Sequence, residues 1–220
     1  MSKQFVIVLA IIVLLFLGIF SISNHKNTKV SSSPSSHIEG LDKSGVSLIE
    51  YGDYQCPYCG EYYSTVKQVQ AQYNNEISFQ FVNFPLTSIH QNAFAGARAA
   101  EAANLQGKFW QMHDLLYEEN QVYYDSNQSA STWINSSNPL TQFDQYARQL
   151  GLNVSKFNTD YASNQVDNVI NADENKGNAL GVDATPTFYL DGKQIQVDNS
   201  VSSFTKFITA AIAQKAQAAK

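Results

Sequence analysis

Two cysteines, Cys56 and Cys59, enclose the dipeptide Pro57-Tyr58 and are the only cysteines in the 220-residue chain. A run typical of a buried strand, Val46 to Tyr51, precedes them, and apolar residues at helical spacing follow. Pro57 suits the first position of a helix, where a missing N–H costs nothing. The pattern therefore predicts Cys56 at a helix N-terminus, where free N–H groups and the helix dipole stabilise a thiolate. We expect Cys56 to be an exposed nucleophile and Cys59 the shielded thiol that resolves its disulfides.

Two other interpretations of this cysteine pair compete with redox chemistry. A zinc site needs four ligands, and the remaining candidates are four histidines without ligand spacing, namely His25, His37, His90 and His113. A purely structural disulfide is also compatible, although so short a loop constrains the unfolded chain little. The strand–helix context favours a redox pair that binds no metal and needs no cofactor beyond its own disulfide.

The elements around the pair alternate between strands and helices. Residues 77–81 show the period-two pattern of a strand, so that strand, helix and strand form a β-α-β unit. Helical patterns follow, including one with Ile89 and Ala93 on its apolar face, while residues 121–138 are weakly patterned and predict a loop. Asp191-Gly192 then predicts a hairpin turn between two strands, and a last amphipathic helix follows.

The N-terminal part predicts attachment to a membrane. Phe5 to Ile22 carries no charge and, as a helix, nearly spans a bilayer core of about 30 Å. We expect residues 1–23 to be a signal segment or uncleaved membrane anchor, 24–44 a flexible Ser-rich linker, and 45–220 the folded domain. We therefore expect a single-pass protein of the cell membrane, or a secreted protein if 1–23 is cleaved, while the charges around the apolar segment do not fix its orientation.

The charge of the chain excludes one class of partner. Its net charge is −5, and it contains no cluster of Lys and Arg. Nucleic-acid phosphates require a basic surface, so we expect no nucleic-acid partner.

Several motifs resemble the DsbA-like thiol–disulfide oxidoreductases, and most of all their membrane-anchored or exported bacterial branch. The motifs are the run 50–60 around the cysteines, Phe84-Pro-Leu86 with His90, the run 107–116, and GVDATPTF at 181–188. The resemblance covers roughly residues 45–218. It implies an α/β thioredoxin-like fold, with a central mixed sheet in the order β-α-β…β-β-α and a helical insertion at about 87–165.

The resemblance also implies roles for residues outside the cysteine pair. Thr185-Pro186 matches the family's cis-proline loop, which faces the active site and binds substrate. Glu50 matches a buried acid that relays the proton of Cys59, although Glu50 could instead be a strand-edge carboxylate in water. Strongly oxidising members often carry His where this chain has Tyr58, so we expect a less oxidising potential. Independently of the resemblance, His90 and His113 are expected to have hydrogen-bonded packing roles, because neither belongs to a nucleophile–base pair in the sequence.

The function that the resemblance implies is thiol–disulfide exchange with cysteines of exported proteins, with the catalytic domain outside the cytoplasm. A membrane redox partner would recycle the Cys56–Cys59 disulfide. Two alternatives stay open: a reductase or isomerase that uses the same dithiol in the other direction, and a non-enzymatic binding module with a structural disulfide.

Overall fold

The computed structural model describes residues 33–219. The predicted signal or anchor segment, residues 1–23, lies outside the described residues, as does the linker up to residue 32. None of the helices within 33–219 is long and apolar enough to cross a membrane.

Five strands form one mixed sheet, in the spatial order β1-β3-β2-β4-β5. Strands β2 and β3 run parallel, and the other three pairs are antiparallel. The prediction of an α/β thioredoxin-like fold with a mixed sheet is confirmed. The strands are β1 (His37–Glu39), β2 (Val46–Gly52), β3 (Ile77–Asn83), β4 (Thr187–Leu190) and β5 (Lys193–Ile195).

The helices divide into three groups by their position in the chain. Helix α1 (Pro57–Tyr73) connects β2 to β3, and helix α7 (Val201–Ala218) follows the last strand. The third group lies between β3 and β4 and consists of α2 (Ala93–Asn104), α3 (Phe109–Asp125), α4 (Leu140–Gln149), α5 (Val154–Tyr161) and α6 (Asn164–Ala179), with a short 3-10 helix at Trp133–Asn135.

Aromatic side chains join the sheet to the helices in the main core. Phe81 of β3 is buried and packs against Tyr54, His113 and Tyr117, with ring centroids 4.7 to 6.2 Å apart. On the same sheet, the ring of Phe188 meets that of Phe204 of α7 edge to face at 4.9 Å. Each such ring removes a large apolar area from water, so this core holds α1, α3 and α7 against the strands.

The hairpin predicted at Asp191-Gly192 is present between β4 and β5. Both residues have positive φ angles, 48° and 77°, as the tightest hairpin turns require. Glycine adopts such angles without steric cost, and aspartate is among the few other residues that tolerate them.

Three boundaries differ from the sequence-based prediction. Residues 37–39 were expected in the linker but form β1, which pairs with β3, so the predicted linker boundary is wrong there. Ile89 was expected on a helix but lies in the turns before α2 and is 71% exposed. The loop predicted for 121–138 is also too long, because α3 continues to Asp125. In the first and last of these cases, long-range contacts outweigh a weak local pattern.

Candidate functional site

Cys56 caps the N-terminus of α1, and Pro57 is the first helical residue, as the sequence predicts. The Cys56 backbone is extended, with φ −67° and ψ 126°, and its N–H donates a 3.1 Å hydrogen bond to the Asp53 carbonyl. One turn later comes Cys59, and both cysteines are free thiols. The Cys56 sulfur therefore sits where helix N–H groups favour negative charge.

The sheet brings Thr185-Pro186 to Cys56. The pairing of Tyr51 with Thr187 places the segment before β4 next to the end of β2. The Thr185-Pro186 peptide bond is cis, and the Cys56 thiol donates a hydrogen bond of 3.3 Å to the Thr185 carbonyl oxygen. Residues 129 positions apart in the chain thus meet at the sulfur.

The expectation that Cys56 is exposed is wrong. Only 3% of Cys56 is exposed, because Thr185 lies against its sulfur, and Cys59 is fully buried at 0%. Cys56 is still the less deeply buried of the two, in the order that the predicted roles require.

The two thiols differ in acidity. Hydrogen bonds from the Cys59 thiol and the Cys59 backbone N–H stabilise the Cys56 thiolate, and Thr185 acts in the same direction, so that the pKa of Cys56 is lowered to about 6. Burial and the nearby Asp53 charge act in the opposite direction but are outweighed. Burial raises the pKa of Cys59 well above its ordinary value, and the Cys56 and Glu50 charges add to that effect. Of the two sulfurs, the site therefore favours the thiolate at Cys56 and the protonated thiol at Cys59.

Glu50 lies on the central strand β2 and is only 3% exposed. This burial excludes the alternative of a strand-edge carboxylate in water. Burial raises the pKa of Glu50 to about 8, and the charge of Cys56 contributes in the same direction. Glu50 also raises the pKa of Cys59 through its charge, so the carboxyl and the second thiol are electrostatically linked.

Helix α3 fixes the backbone around Cys56. The Asn120 side chain donates to the Tyr54 carbonyl at 2.8 Å and to the Cys56 carbonyl at 3.1 Å. Gly60 of α1 permits this approach, since a Cβ at that position would collide with the Asn120 side-chain oxygen. Asn120 is not predictable from the sequence, because nothing in its local pattern distinguishes it from other polar residues on a helix.

A groove lies beside the cysteines. Its walls include Tyr58, Tyr62, Pro186, Gln194 and Val197, and it encloses about 220 Å³. Tyr58, which lies at the edge of the groove, is 63% exposed. The groove therefore offers aromatic and amide contacts to a chain segment that reaches the Cys56 sulfur.

Asp53 is a further residue of the site that the sequence does not predict; it lies just before the cysteine pair and is 1% exposed. Its carboxylate accepts hydrogen bonds from the backbone N–H groups of Gln55 and Leu86, at 2.8 and 3.0 Å. His90 contacts the same carboxylate through Nδ1 at 2.6 Å, and this hydrogen bond raises the pKa of His90. The position of an Asp three residues before a CxxC pair could have indicated a role for Asp53. Its pairing with His90 could not be predicted, because His90 lies beyond β3 in the chain.

His113 lies in the aromatic core, among the rings of Tyr54, Phe81 and Tyr117. It is 4% exposed, and its Nδ1 is 3.1 Å from the Tyr54 hydroxyl. Within residues 33–219, no group of three or more His, Cys, Asp or Glu side chains could hold a metal ion.

Comparisons with curated proteins match only a part of each relative. The chain is 30% identical over 160 residues to the Na(+)/H(+) antiporter NhaA 1 of Mycolicibacterium gilvum, covering 72% of this chain and 24% of that protein. It is 29% identical over 177 residues to the Na(+)/H(+) antiporter NhaA 1 of Salinispora arenicola, covering 80% of this chain and 25% of that protein. The chain thus spans about a quarter of the length of these curated relatives.

Solved structures share the fold at low sequence identity. BdbD from Bacillus subtilis, in its oxidised form, aligns with a TM-score of 0.67 and 21% identity, covering 84% of this chain and 98% of that one. Alpha-DsbA1 from Wolbachia pipientis aligns with a TM-score of 0.65 and 18% identity, covering 86% and 97%. A thioredoxin-like oxidoreductase from Silicibacter pomeroyi gives 0.61 and 23%, covering 79% and 90%.

A family model described as Thioredoxin matches residues 32–210. This match includes the cysteine pair, the cis-proline loop and all five strands of the sheet. The chain therefore belongs to the thioredoxin family.

Proposed function

We propose that this protein is a thiol–disulfide oxidoreductase that exchanges disulfides with cysteines of exported proteins. The observation that carries the proposal is the asymmetry of the dithiol. Cys56 has a pKa of about 6 and is 3% exposed, whereas Cys59 is fully buried and its pKa is raised. A thiolate is the species that attacks disulfides, and one with a pKa near the ambient pH attacks best.

The exchange proceeds through two sulfur displacements. With Cys56 and Cys59 oxidised, a substrate thiolate attacks Cys56, forms a mixed disulfide and releases Cys59. A second substrate thiolate then attacks the substrate sulfur of that bond and releases the Cys56 thiolate. The substrate loses two electrons and two protons, and the Cys56–Cys59 pair gains both electrons. In reverse, Cys56 attacks a substrate disulfide and Cys59 displaces the substrate. No cofactor takes part in either direction.

Glu50 is proposed to move the proton of Cys59. When Cys59 leaves as a thiolate inside the protein, it needs a proton that solvent cannot deliver directly. A carboxyl with a pKa of about 8 is largely protonated at neutral pH and can supply one. When Cys59 attacks, the resulting Glu50 carboxylate takes the proton back.

The groove beside the cysteines is the proposed place of the substrate. Thr185 presents its backbone to the sulfur, and an extended peptide could pair with that backbone as an added strand. The substrates, the extracytoplasmic location and a membrane redox partner follow from the predicted apolar segment 5–22 and from the family resemblance. The antiporter activity in the names of the curated relatives is not proposed for this chain, because it matches only about a quarter of those proteins.

The direction of electron flow separates this proposal from a reductase or isomerase. A reduction potential near roughly −120 mV indicates an oxidant of proteins, and one near roughly −270 mV a reductant. Lacking a positive charge at Tyr58, the site is expected between these values. The non-enzymatic alternative predicts an inert pair of thiols instead.

Trapping of the mixed disulfide tests the proposal. Cys59→Ala leaves the nucleophile but removes the resolving thiol, so adducts with exported proteins should accumulate on non-reducing gels and disappear with reductant. The matched control is Cys56→Ala, which should trap few adducts because Cys59 is buried and less acidic. Adducts with Cys56→Ala alone would reverse the two roles. No adducts with either variant would refute the exchange activity.

A further inference from the structure

The Asp53 carboxylate is an unfavourable neighbour for a thiolate. Asp53 is 1% exposed, and its carbonyl holds the N–H of Cys56 at 3.1 Å, which fixes it close to the nucleophile. Its negative charge raises the pKa of Cys56. A buried carboxylate without a compensating charge would therefore suppress the anion that the proposed reaction needs.

The segment after β3 supplies a side chain that becomes positively charged when it is protonated. The Leu86 N–H and the His90 ring both bind the same oxygen of Asp53, at 3.0 and 2.6 Å. The first residue of the segment is itself fixed, because the Phe84 N–H donates to the Gly52 carbonyl at 2.8 Å. The His90 side chain is 14% exposed, so solvent screens this pair only weakly.

We propose that His90 is a positioning residue for charge: its protonated ring neutralises Asp53 and thereby keeps Cys56 ionised. The benefit of an ionised Cys56 rests on the proposed function, whereas the effect of His90 on the ionisation of Cys56 can be measured without it. His90 lies 34 positions beyond Cys56 and 31 beyond Cys59 in the chain. This positive charge therefore reaches the site from outside the CxxC motif, where Tyr58 offers none.

Other titratable groups around Cys56 do not replace this positive charge. Glu50 on β2 and Asp53 are acidic, Cys59 on α1 is a buried thiol, and Tyr124 on α3 interacts with the Cys56 charge. Each of these groups is neutral when protonated and negative when deprotonated, so none of them can carry a positive charge. Among the described groups that interact with the Cys56 charge, His90 is the one that can be positive near neutral pH.

The first test measures the ionisation of Cys56 in His90→Gln. Alkylation of the reduced protein at pH 5 should be about tenfold slower than in the wild type, as expected if the Cys56 pKa rises by about one. The matched control is Arg98→Gln, which removes a positive charge from the Arg98–Asp167 ion pair elsewhere in the domain. It should leave the rate within about twofold. An unchanged rate in folded His90→Gln would overturn the inference.

A second variant separates charge from packing. Adding Asp53→Asn to His90→Gln removes both charges of the pair, so the alkylation rate at pH 5 should return to within about threefold of the wild type. If the double variant is as slow as His90→Gln while circular dichroism shows both folded, compensation of Asp53 is not the role of His90.

A measurement on the unmodified protein covers the case in which these variants do not fold. Coupling between two titrating groups is reciprocal. The NMR titration of the His90 ring should therefore give a higher pKa in the reduced protein, with the Cys56 thiolate, than in the disulfide form. Equal values in both forms would refute the coupling. Failure of Cys59→Ala to trap substrates would refute the exchange activity but leave this coupling measurable.

Discussion

Two buried carboxyl groups in the same domain behave differently. Glu50 beside the cysteines and Asp173 on α6 are 3% and 0% exposed, and burial is the largest cause that raises the pKa of each. Asp173 accepts the Ser35 N–H at 2.7 Å and both the N–H and the side-chain amide of Asn83 at 3.2 and 3.1 Å. Those hydrogen bonds lower the pKa of Asp173 against burial, whereas the charge of Cys56 raises the pKa of Glu50 further.

The difference shows that burial alone does not mark a catalytic group. Asp173 belongs to a network in which Asn83 also binds Glu101 at 2.7 Å, and Glu101 in turn binds His37 of β1 at 2.7 Å. This network joins the N-terminal strand to α2 and α6. Glu50 instead has a pKa of about 8, so it can exchange a proton near neutral pH. We therefore expect a structural role for Asp173 and a chemical one for Glu50.

The largest effect is expected from removing the N-terminal side of the Asp173 network. A chain that begins at residue 45 lacks Ser35 and His37, so two buried carboxylates lose partners and β3 loses its edge strand. Its free energy of unfolding in urea should be about 5 kcal/mol lower than that of a chain beginning at residue 33. Equal stability of the two chains would show that the network contributes nothing.

Glu50→Gln should stabilise the protein, and increasingly so as the pH rises. The pKa of Glu50 is higher in the folded state, so unfolding releases a proton and the wild type loses stability between about pH 4.5 and pH 8. The loss is roughly 1.4 kcal/mol per pH unit, and Gln avoids it. The gain should reach about 4 kcal/mol at pH 8 in urea unfolding. The exposed Glu61→Gln on α1 is the control and should show no such trend.

Asp173→Asn should destabilise the protein, in contrast to Glu50→Gln. An amide of the same size places an N–H group among the donors from Ser35 and Asn83, so at least one hydrogen bond is lost. The free energy of unfolding should fall by about 2 kcal/mol, while Cys56 alkylation stays as in the wild type. Stabilisation by this substitution would mean that the contrast with Glu50 is wrong.

The sequence predicts the part of the site that is local. Cys56, Pro57 and Cys59 follow one another, and helix rules alone place the first of them at a helix N-terminus. The hairpin at Asp191-Gly192 is predicted for the same reason, since its turn chemistry lies in two adjacent residues.

The parts that were not predicted depend on distant residues. Strand β1 has only three residues and follows a polar, Ser-rich segment, so its own sequence does not predict a strand. It forms because it pairs with β3 and because Ser35 and His37 bind the buried Asp173 and Glu101. The Asp53–His90 pair joins residues 37 positions apart, and the burial of Cys56 comes from Thr185, 129 positions away. Pairings of this range arise from the packed fold and leave no local pattern.

Of these changes, which are one truncation and three substitutions, Asn120→Ala should alter the free energy of unfolding least. It leaves the carbonyls of Tyr54 and Cys56 without their side-chain donor, at a cost of about 1–2 kcal/mol in urea unfolding. The neighbouring Gln121→Ala removes one part-buried hydrogen bond to Gly60 and should cost less than about 1 kcal/mol. If Gln121→Ala lowered the free energy of unfolding more than Asn120→Ala, Asn120 would not be what holds the backbone at Tyr54 and Cys56.

The asymmetry of the two thiols is tested most directly by alkylating the reduced protein across pH and mapping the labelled cysteine by mass spectrometry. Cys56 should be labelled with a midpoint of about pH 6, while Cys59 stays unlabelled through neutral pH. Labelling of Cys59 first, or of both thiols together with a midpoint near the ordinary cysteine value of about 8.5, would contradict the assignment of Cys56 as the nucleophile.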